Sequence, residues 1–170
     1  MTDIRPARFP DDLDAVVRIF REYVASPTVS LDFQEFEAEF AALPGKYAAP
    51  QGCVLLAWKD GQPVGCAALR QVDVPDAPSA QVGEMKRVYV RPTARGENLG
   101  RRLVEGILDV ARHRGYTRIC LDVLPEFQAA QRLYASLGFE DAPPVSFNPV
   151  PGTRYLGLDL RAVRSPTDAL

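Results

Sequence analysis

The chain has 170 residues, a net charge of −2 and 46% hydrophobic side chains. That length suits a single domain spanning residues 1–170, with a core over about 3–160 and a tail at 161–170, large enough to bury a core without disulfide or metal staples. Near-neutral charge with high apolar content excludes a disordered chain and argues against a nucleic-acid partner. Cys53, Cys66 and Cys120 are odd in number and lack metal-type spacing, so they read as packed thiols of a cytoplasmic protein with no metal site. Residues Met1 to Pro6 show no basic-then-apolar leader, and no apolar run approaches the ~20 residues of a membrane span, so no membrane partner is expected.

The charge is uneven. Residues 1–45 carry nine acids and four bases, whereas residues 84–118 carry nine bases and four acids. A basic middle in an otherwise acidic chain suggests a local anionic ligand, set against a solvated helix face as the plainer reading.

In chain order, Ile4 to Ala7 is strand-compatible. Asp11 and Asp12 then precede a helical stripe of Leu13, Val16, Val17, Phe20 and Val24, which Pro27 ends. The segment Asp32-Phe33-Gln34-Glu35 resembles a capping box and predicts a second helix with Phe33, Phe36, Phe40 and Leu43 on one face. The apolar run Cys53 to Trp58, the turn Lys59-Asp60-Gly61-Gln62 and the run Val64 to Leu69 read as an antiparallel hairpin. Residues 72–80 form a proline-punctuated loop, and Val82 to Val90 a third strand ending at Arg91-Pro92. A helix with the stripe Leu99, Leu103, Ile107, Val110 and Ala111 follows. Its last turn, Arg112-His113-Arg114, and Gly115 form a C-terminal stop that accounts for the one histidine. Arg118 to Val123 reads as a strand, Phe127, Ala130, Tyr134 and Leu137 as a helical stripe closed by Gly138, and Val145–Phe147 and Arg154–Leu160 as late strands. The order β-α-α-β-β-β-α-β-α-β-β predicts an α/β (α+β) fold with a mixed, mostly antiparallel central sheet flanked by helices.

Chemistry concentrates after the third strand. A strand, a short loop holding Arg95 and Gly96, and a helix start at Leu99-Gly100 make an anion-binding device, because first-turn amides are unpaired and the dipole is positive there. Arg101 and Arg102 add formal charge. A Walker loop is excluded because Arg101-Arg102 follows Gly100, and a dinucleotide fingerprint because the glycine spacing is wrong.

Val88-Tyr89-Val90-Arg91-Pro92 followed by Arg95-Gly96-Glu97-Asn98-Leu99-Gly100 resembles the cofactor loop of the GNAT N-acetyltransferases. Ala130-Gln131-Arg132-Leu133-Tyr134-Ala135-Ser136-Leu137-Gly138-Phe139 is similar to that family's A-x-x-L-Y-x-x-x-G-F segment. The resemblance runs from about residue 3 to 160 and implies a GNAT-like fold and acetyl-CoA as cosubstrate. It implies that the loop amides of Arg95, Gly96, Glu97, Asn98, Leu99, Gly100 and Arg101 hold the pyrophosphate, and that backbone groups of Val88 and Val90 pair with the pantetheine arm. Two positions depart from the pattern. Asn98 stands at the middle loop glycine, where its tolerance of left-handed backbone preserves the turn. Phe127 stands where relatives often carry a cofactor-contacting Asn, and is expected to pack in the core.

Acyl transfer to an amine needs a proton acceptor for an ammonium of pKa near ~10 and a donor for the leaving thiolate. The resemblance makes Glu84 the base and Tyr134 the acid. The plainer readings are a Glu84 paired with Lys86 or Arg87, and a core Tyr134. Strand alternation puts Glu84, Lys86, Val88 and Val90 on one face unless a bulge intervenes. The expected acceptor is a small-molecule primary amine, acetylated directly in a ternary complex. A protein lysine or N-terminus, or a non-catalytic acyl-CoA-binding domain, are the alternatives. Asp32, Glu35, Glu37 and Glu39 suggest a cationic amine, against a solvated acidic face. The loop Ser146 to Thr153 is expected to form a pocket wall or a contact in a possible homodimer.

Overall fold

The computed structural model describes residues 1–75 and 81–161. Its strands are β1 (Asp3–Pro6), β2 (Cys53–Lys59), β3 (Gln62–Val72), β4 (Val82–Val90), β5 (Arg118–Val123), β6 (Glu140–Asp141) and β7 (Arg154–Asp159). Its helices are α1 (Leu13–Ala25), α2 (Phe36–Ala41), α3 (Leu99–His113) and α4 (Gln128–Ser136). The strands form one sheet in the order β1-β2-β3-β4-β5-β7-β6. Every neighbouring pair is antiparallel except β4–β5. The mixed, mostly antiparallel sheet expected from the element order is therefore present.

Alternation along the strands divides the core. Val54, Leu56, Cys66 and Ala68 meet Val16, Ile19 and Phe20 of α1, Phe40 of α2 and Tyr47. Leu55, Ala57, Ala67, Leu69 and Met85 meet Leu99, Leu103, Ile107 and Ala111 of α3, with Tyr134 of α4 in the same cluster. Strands buried on both faces read as continuous apolar runs, which is why Cys53 to Trp58 has no polar alternation.

Two local expectations are corrected. Val145–Phe147 is not a strand; the pairing beside β7 is made by Glu140 and Asp141, opposite Gly157 and Leu156. The second helix is broken: Asp32–Gln34 is a 3-10 turn, Glu35 is left-handed at φ 52°, and α2 starts only at Phe36. Asp12 stands at the N-cap of α1, and its carboxylate accepts from Arg5 Nη1 at 2.8 Å and from the Arg8 amide at 2.7 Å instead of from the first-turn amides. The expected loop at 72–80 and tail at 161–170 fall largely on residues 76–80 and 162–170, outside the described residues.

The feature that positions the site is a bulge in β4. Cys66 pairs with Tyr89, yet Ala68 pairs with Lys86, so β4 carries one extra residue against β3. Arg87 takes it up with φ 59°. The alternation resets there. Glu84 and Lys86 share the α1/α2 side, Arg87 turns to the same side, and Val88 and Val90 pack against the α3 cluster. The four residues expected on one face are thus split between two.

Candidate active site

Strands β4 and β5 pair in parallel only from Val82–Arg118 to Glu84–Cys120. Beyond that point they part, so Met85–Val90 has no sheet partner on its β5 side. Backbone polar groups left unpaired on a strand edge are a template for an extended ligand. A cavity of about 580 Å³ occupies the opening.

One end of the cavity is the loop into α3. Arg95, Gly96, Asn98, Leu99, Gly100 and Arg101 line it, with Val88 and Val90 along the strand. Gly96 is left-handed at φ 95° and Asn98 at φ 61°, and the Asn98 carbonyl accepts the first helical amide, from Arg102, at 3.1 Å. The turn that relatives make with glycine is therefore formed here by asparagine. The amides of Leu99, Gly100 and Arg101 precede that first bond and face no helical carbonyl. Arg95 Nε donates to the Val90 carbonyl at 3.2 Å, and Arg101 Nη2 to Ser136 Oγ at 2.7 Å, so both cations are held beside the opening. Glu97 is not among the lining residues; it turns outward to Lys59 at 2.8 Å. Exposed amides, fixed cations and an open strand edge fit a long ligand with a phosphate at one end and amides along its arm.

At the strand parting, Tyr134 and Tyr23 reach the cavity with Asp122 of β5. Burial pushes the Tyr134 phenol up, and Tyr23 and Asp122 push it further, so it stays protonated. Burial likewise pushes Tyr23 up to about 12. Asp122 Oδ2 accepts from Asn148 Nδ2 at 2.8 Å, while Asn148 Oδ1 takes the Val150 amide at 3.0 Å. Asn148 belongs to the Ser146–Thr153 loop, which is thereby a wall of the cavity. Phe127 also lines it and packs against the α3 cluster, as its apolar ring requires.

Glu84 lies elsewhere. Its side chain is 0% exposed and it is not among the lining residues. It accepts from Arg70 Nε at 2.8 Å and from Ser146 Oγ at 2.7 Å. Burial pushes its carboxyl up, but Lys86, Arg70 and the Ser146 hydroxyl outweigh burial and hold it below the usual carboxylate range. Such a carboxylate is fully buried and fully paired. Two acids do reach the cavity, Glu126, which accepts from Thr28, and Asp122, which was missed by sequence reasoning. Strand alternation could have found it: Ile119, Leu121 and Val123 face the α3 core, leaving Asp122 on the other side.

Two of the early acids are engaged by other residues. Glu37 pairs with Arg21 at the surface, and Glu39 is buried against Arg87, Lys46 and the Tyr47 hydroxyl. His113 caps its own helix end, its Nδ1 2.8 Å from the Asp109 carbonyl. Among the described residues no group of three or more His, Cys, Asp or Glu side chains could hold a metal, and no helix is long and apolar enough to cross a membrane.

Comparison with known proteins agrees with this geometry. Residues 15–139 match the model of the acetyltransferase (GNAT) family. The chain is 35% identical to an uncharacterized N-acetyltransferase of Schizosaccharomyces pombe, over 92% of this chain and 94% of that protein. It is 34% identical to an IAA acetyltransferase of Azospirillum brasilense, over 85% and 89%. A Salmonella typhimurium acetyltransferase, YncA, solved with its cofactor acetyl-CoA, superposes with a TM-score of 0.69 at 24% identity, covering 98% of each chain. The parted strands, the loop into α3 and these matches together establish that the chain belongs to the GNAT family of N-acetyltransferases.

Proposed function

We propose that this chain transfers the acetyl group of acetyl-CoA to a primary amine of a small molecule, directly and within a ternary complex. The observation that carries the reading is the parting of β4 from β5 beside the loop into α3. Amides and cations from Arg95 to Arg101, Glu97 contributing backbone only, would hold the pyrophosphate. Backbone groups of Val88 and Val90 would receive the pantetheine arm.

When bound, acetyl-CoA supplies an acetyl thioester, which the amine nitrogen attacks so that a C–N bond forms and the C–S bond breaks. The amine must first be neutral, and of the two carboxylates on the cavity Glu126 is engaged by Thr28, leaving Asp122 to take its proton, directly or through water. Asn148 fixes its orientation. Tyr134, kept protonated by burial, supplies a proton to the departing sulfur. Glu84, the base implied by the resemblance, is in this reading a positioning residue: it holds Ser146, two residues before Asn148, and lies 3.8 Å from Lys86.

A small acceptor is favoured over a protein chain by one contact. The Thr28 amide and hydroxyl donate to Glu126 at 3.0 and 2.9 Å, tying the segment after α1 to the loop before α4 at the cavity rim. A peptide substrate needs an open groove at that rim. The test is calorimetric titration with acetyl-CoA, then a thiol-release screen of amines. Micromolar binding followed by thiol release with small amines supports the reading. Failure to bind millimolar acetyl-CoA overturns it.

A further inference from the structure

The acceptor end of the cavity is built on a surplus of hydrogen-bond donors. Glu84 is satisfied by Arg70 and Ser146, and Glu39 by Arg87, Lys46 and Tyr47. Lys86, whose side chain is only 10% exposed, lines the cavity with no hydrogen-bond partner among the described residues; Glu84 is 3.8 Å from its Nζ. Beside it, Arg87 is 1% exposed and donates from Nε to Glu39 and from Nη1 to Gln34 Oε1, while Nη2 has no partner.

That bond fixes Gln34. A guanidinium has only donors, so the Gln34 carbonyl oxygen must face it and the amide nitrogen is turned away from it. Gln34 lines the same cavity, and its Nε2 has no partner among the described residues. Two donors, one of them an ammonium whose counter-ion Glu84 lies at 3.8 Å and is shared with Arg70, thus face the cavity without a hydrogen bond. An ammonium carries three donors, so a counter-ion beyond hydrogen-bonding distance leaves them open to a ligand oxygen. Across the cavity, Asp122 acts electrostatically on Lys86 without forming an ion pair, and its Oδ2 is engaged by Asn148.

We propose that the acceptor is an amine that also carries a carboxylate, the class of amino acids, with its carboxylate held by Lys86 Nζ and Gln34 Nε2 and its amine directed to Asp122. This inference rests on the acetyltransferase reading above and narrows its substrate. It replaces the cationic amine suggested by the acids at positions 32–39, of which Glu37 and Glu39 are committed to other partners. Lys86 and Gln34 are specificity residues in this scheme. The bulge at Arg87 creates the arrangement, because it turns two consecutive cations to one face.

The test compares amino acids and ω-amino carboxylates with their carboxamides, which keep the amine and shape but lose the anion. The expected kcat/KM ratio is at least about tenfold in favour of the carboxylates, the size of a charge-assisted hydrogen bond. Lys86→Met collapses that ratio towards one, acting on the KM of the acceptor and not on that of acetyl-CoA; Lys86→Arg, which keeps the charge, restores part of it. The wild-type ratio itself needs no variant and is independent of any folding defect. Calorimetry with the same amines in the presence of free CoA reads acceptor binding without turnover. Acetyl-CoA binding with no thiol release from any amine overturns the acetyltransferase reading, and in that case the carboxylate inference stands or falls on the dead-end titration. Equal or better binding of carboxamides, or no binding of either set, overturns the inference.

Discussion

Arg87 and Glu39 are 48 positions apart and meet at 3.0 Å, both almost fully buried, where the β4 bulge faces α2. The contact joins the short second helix to the strand that lines the cavity. Arg87 also lies over the rings of Tyr23 and Phe40, so charge and aromatic packing hold the guanidinium together.

Removing Glu39 leaves Arg87 buried and uncompensated. Glu39→Ala is expected to destabilise the fold by about 3–5 kcal/mol, read as a lowered urea midpoint at unchanged slope. A midpoint equal to wild type would mean that Arg87 finds another partner.

Acid should weaken the fold through the same carboxylates. Arg5 holds Asp12 below its ordinary value against the opposing effect of burial. For Glu39 burial pushes upward, and Arg87 and Lys46 outweigh it; Glu84 behaves likewise with Lys86 and Arg70. A carboxyl lowered in the folded state contributes stability above its unfolded pKa of about 4. That contribution is lost as pH falls through the lower folded values, because the unfolded chain then binds more protons. Urea midpoints should therefore be flat from pH 7 to about 5 and fall steadily below about 4. A midpoint held down to the lowest pH would contradict the ion-pair account.

The loop into α3 offers a backbone test. At φ 61°, Asn98 occupies a region that costs other side chains roughly 1–2 kcal/mol. Asn98→Gly should keep or tighten acetyl-CoA binding, and Asn98→Val should weaken it several-fold. Calorimetry gives both values, and tight binding by the valine variant would separate the turn from cofactor affinity.

Two carboxylates compete for the role of base, and kinetics separates them. Asp122→Asn should lower kcat by about a hundredfold or more, with the KM of acetyl-CoA unchanged. Glu84→Gln should chiefly lower stability and raise the acceptor KM, with kcat little changed. The opposite pattern would return the base to Glu84.

Tyr134→Phe deletes one hydroxyl and keeps the ring against Phe139, whose centroid is 5.6 Å away. Stability should hold while kcat falls about a hundredfold. An unchanged kcat would leave protonation of the sulfur to water.

The sequence by itself determined what local periodicity and turn chemistry can encode. The hairpin about Asp60-Gly61, the stripe and stop of α3, and the anion loop with its left-handed Asn98 were legible residue by residue. The placement of Tyr134 followed from its motif and its stripe on α4. What lay across strands was not legible. The bulge at Arg87 exists only because β3 and β4 pair in one register on each side of it, and no residue type announces it. It separated Glu84 from Val88 and brought Lys86 and Arg87 to the acceptor end. Partnering decided the rest: a Glu84 paired with Lys86 was one reading of the chain, but the Arg70 partner of Glu84 and the Arg87 and Lys46 partners of Glu39 come from the tertiary structure, because a buried carboxylate persists only when it is paired.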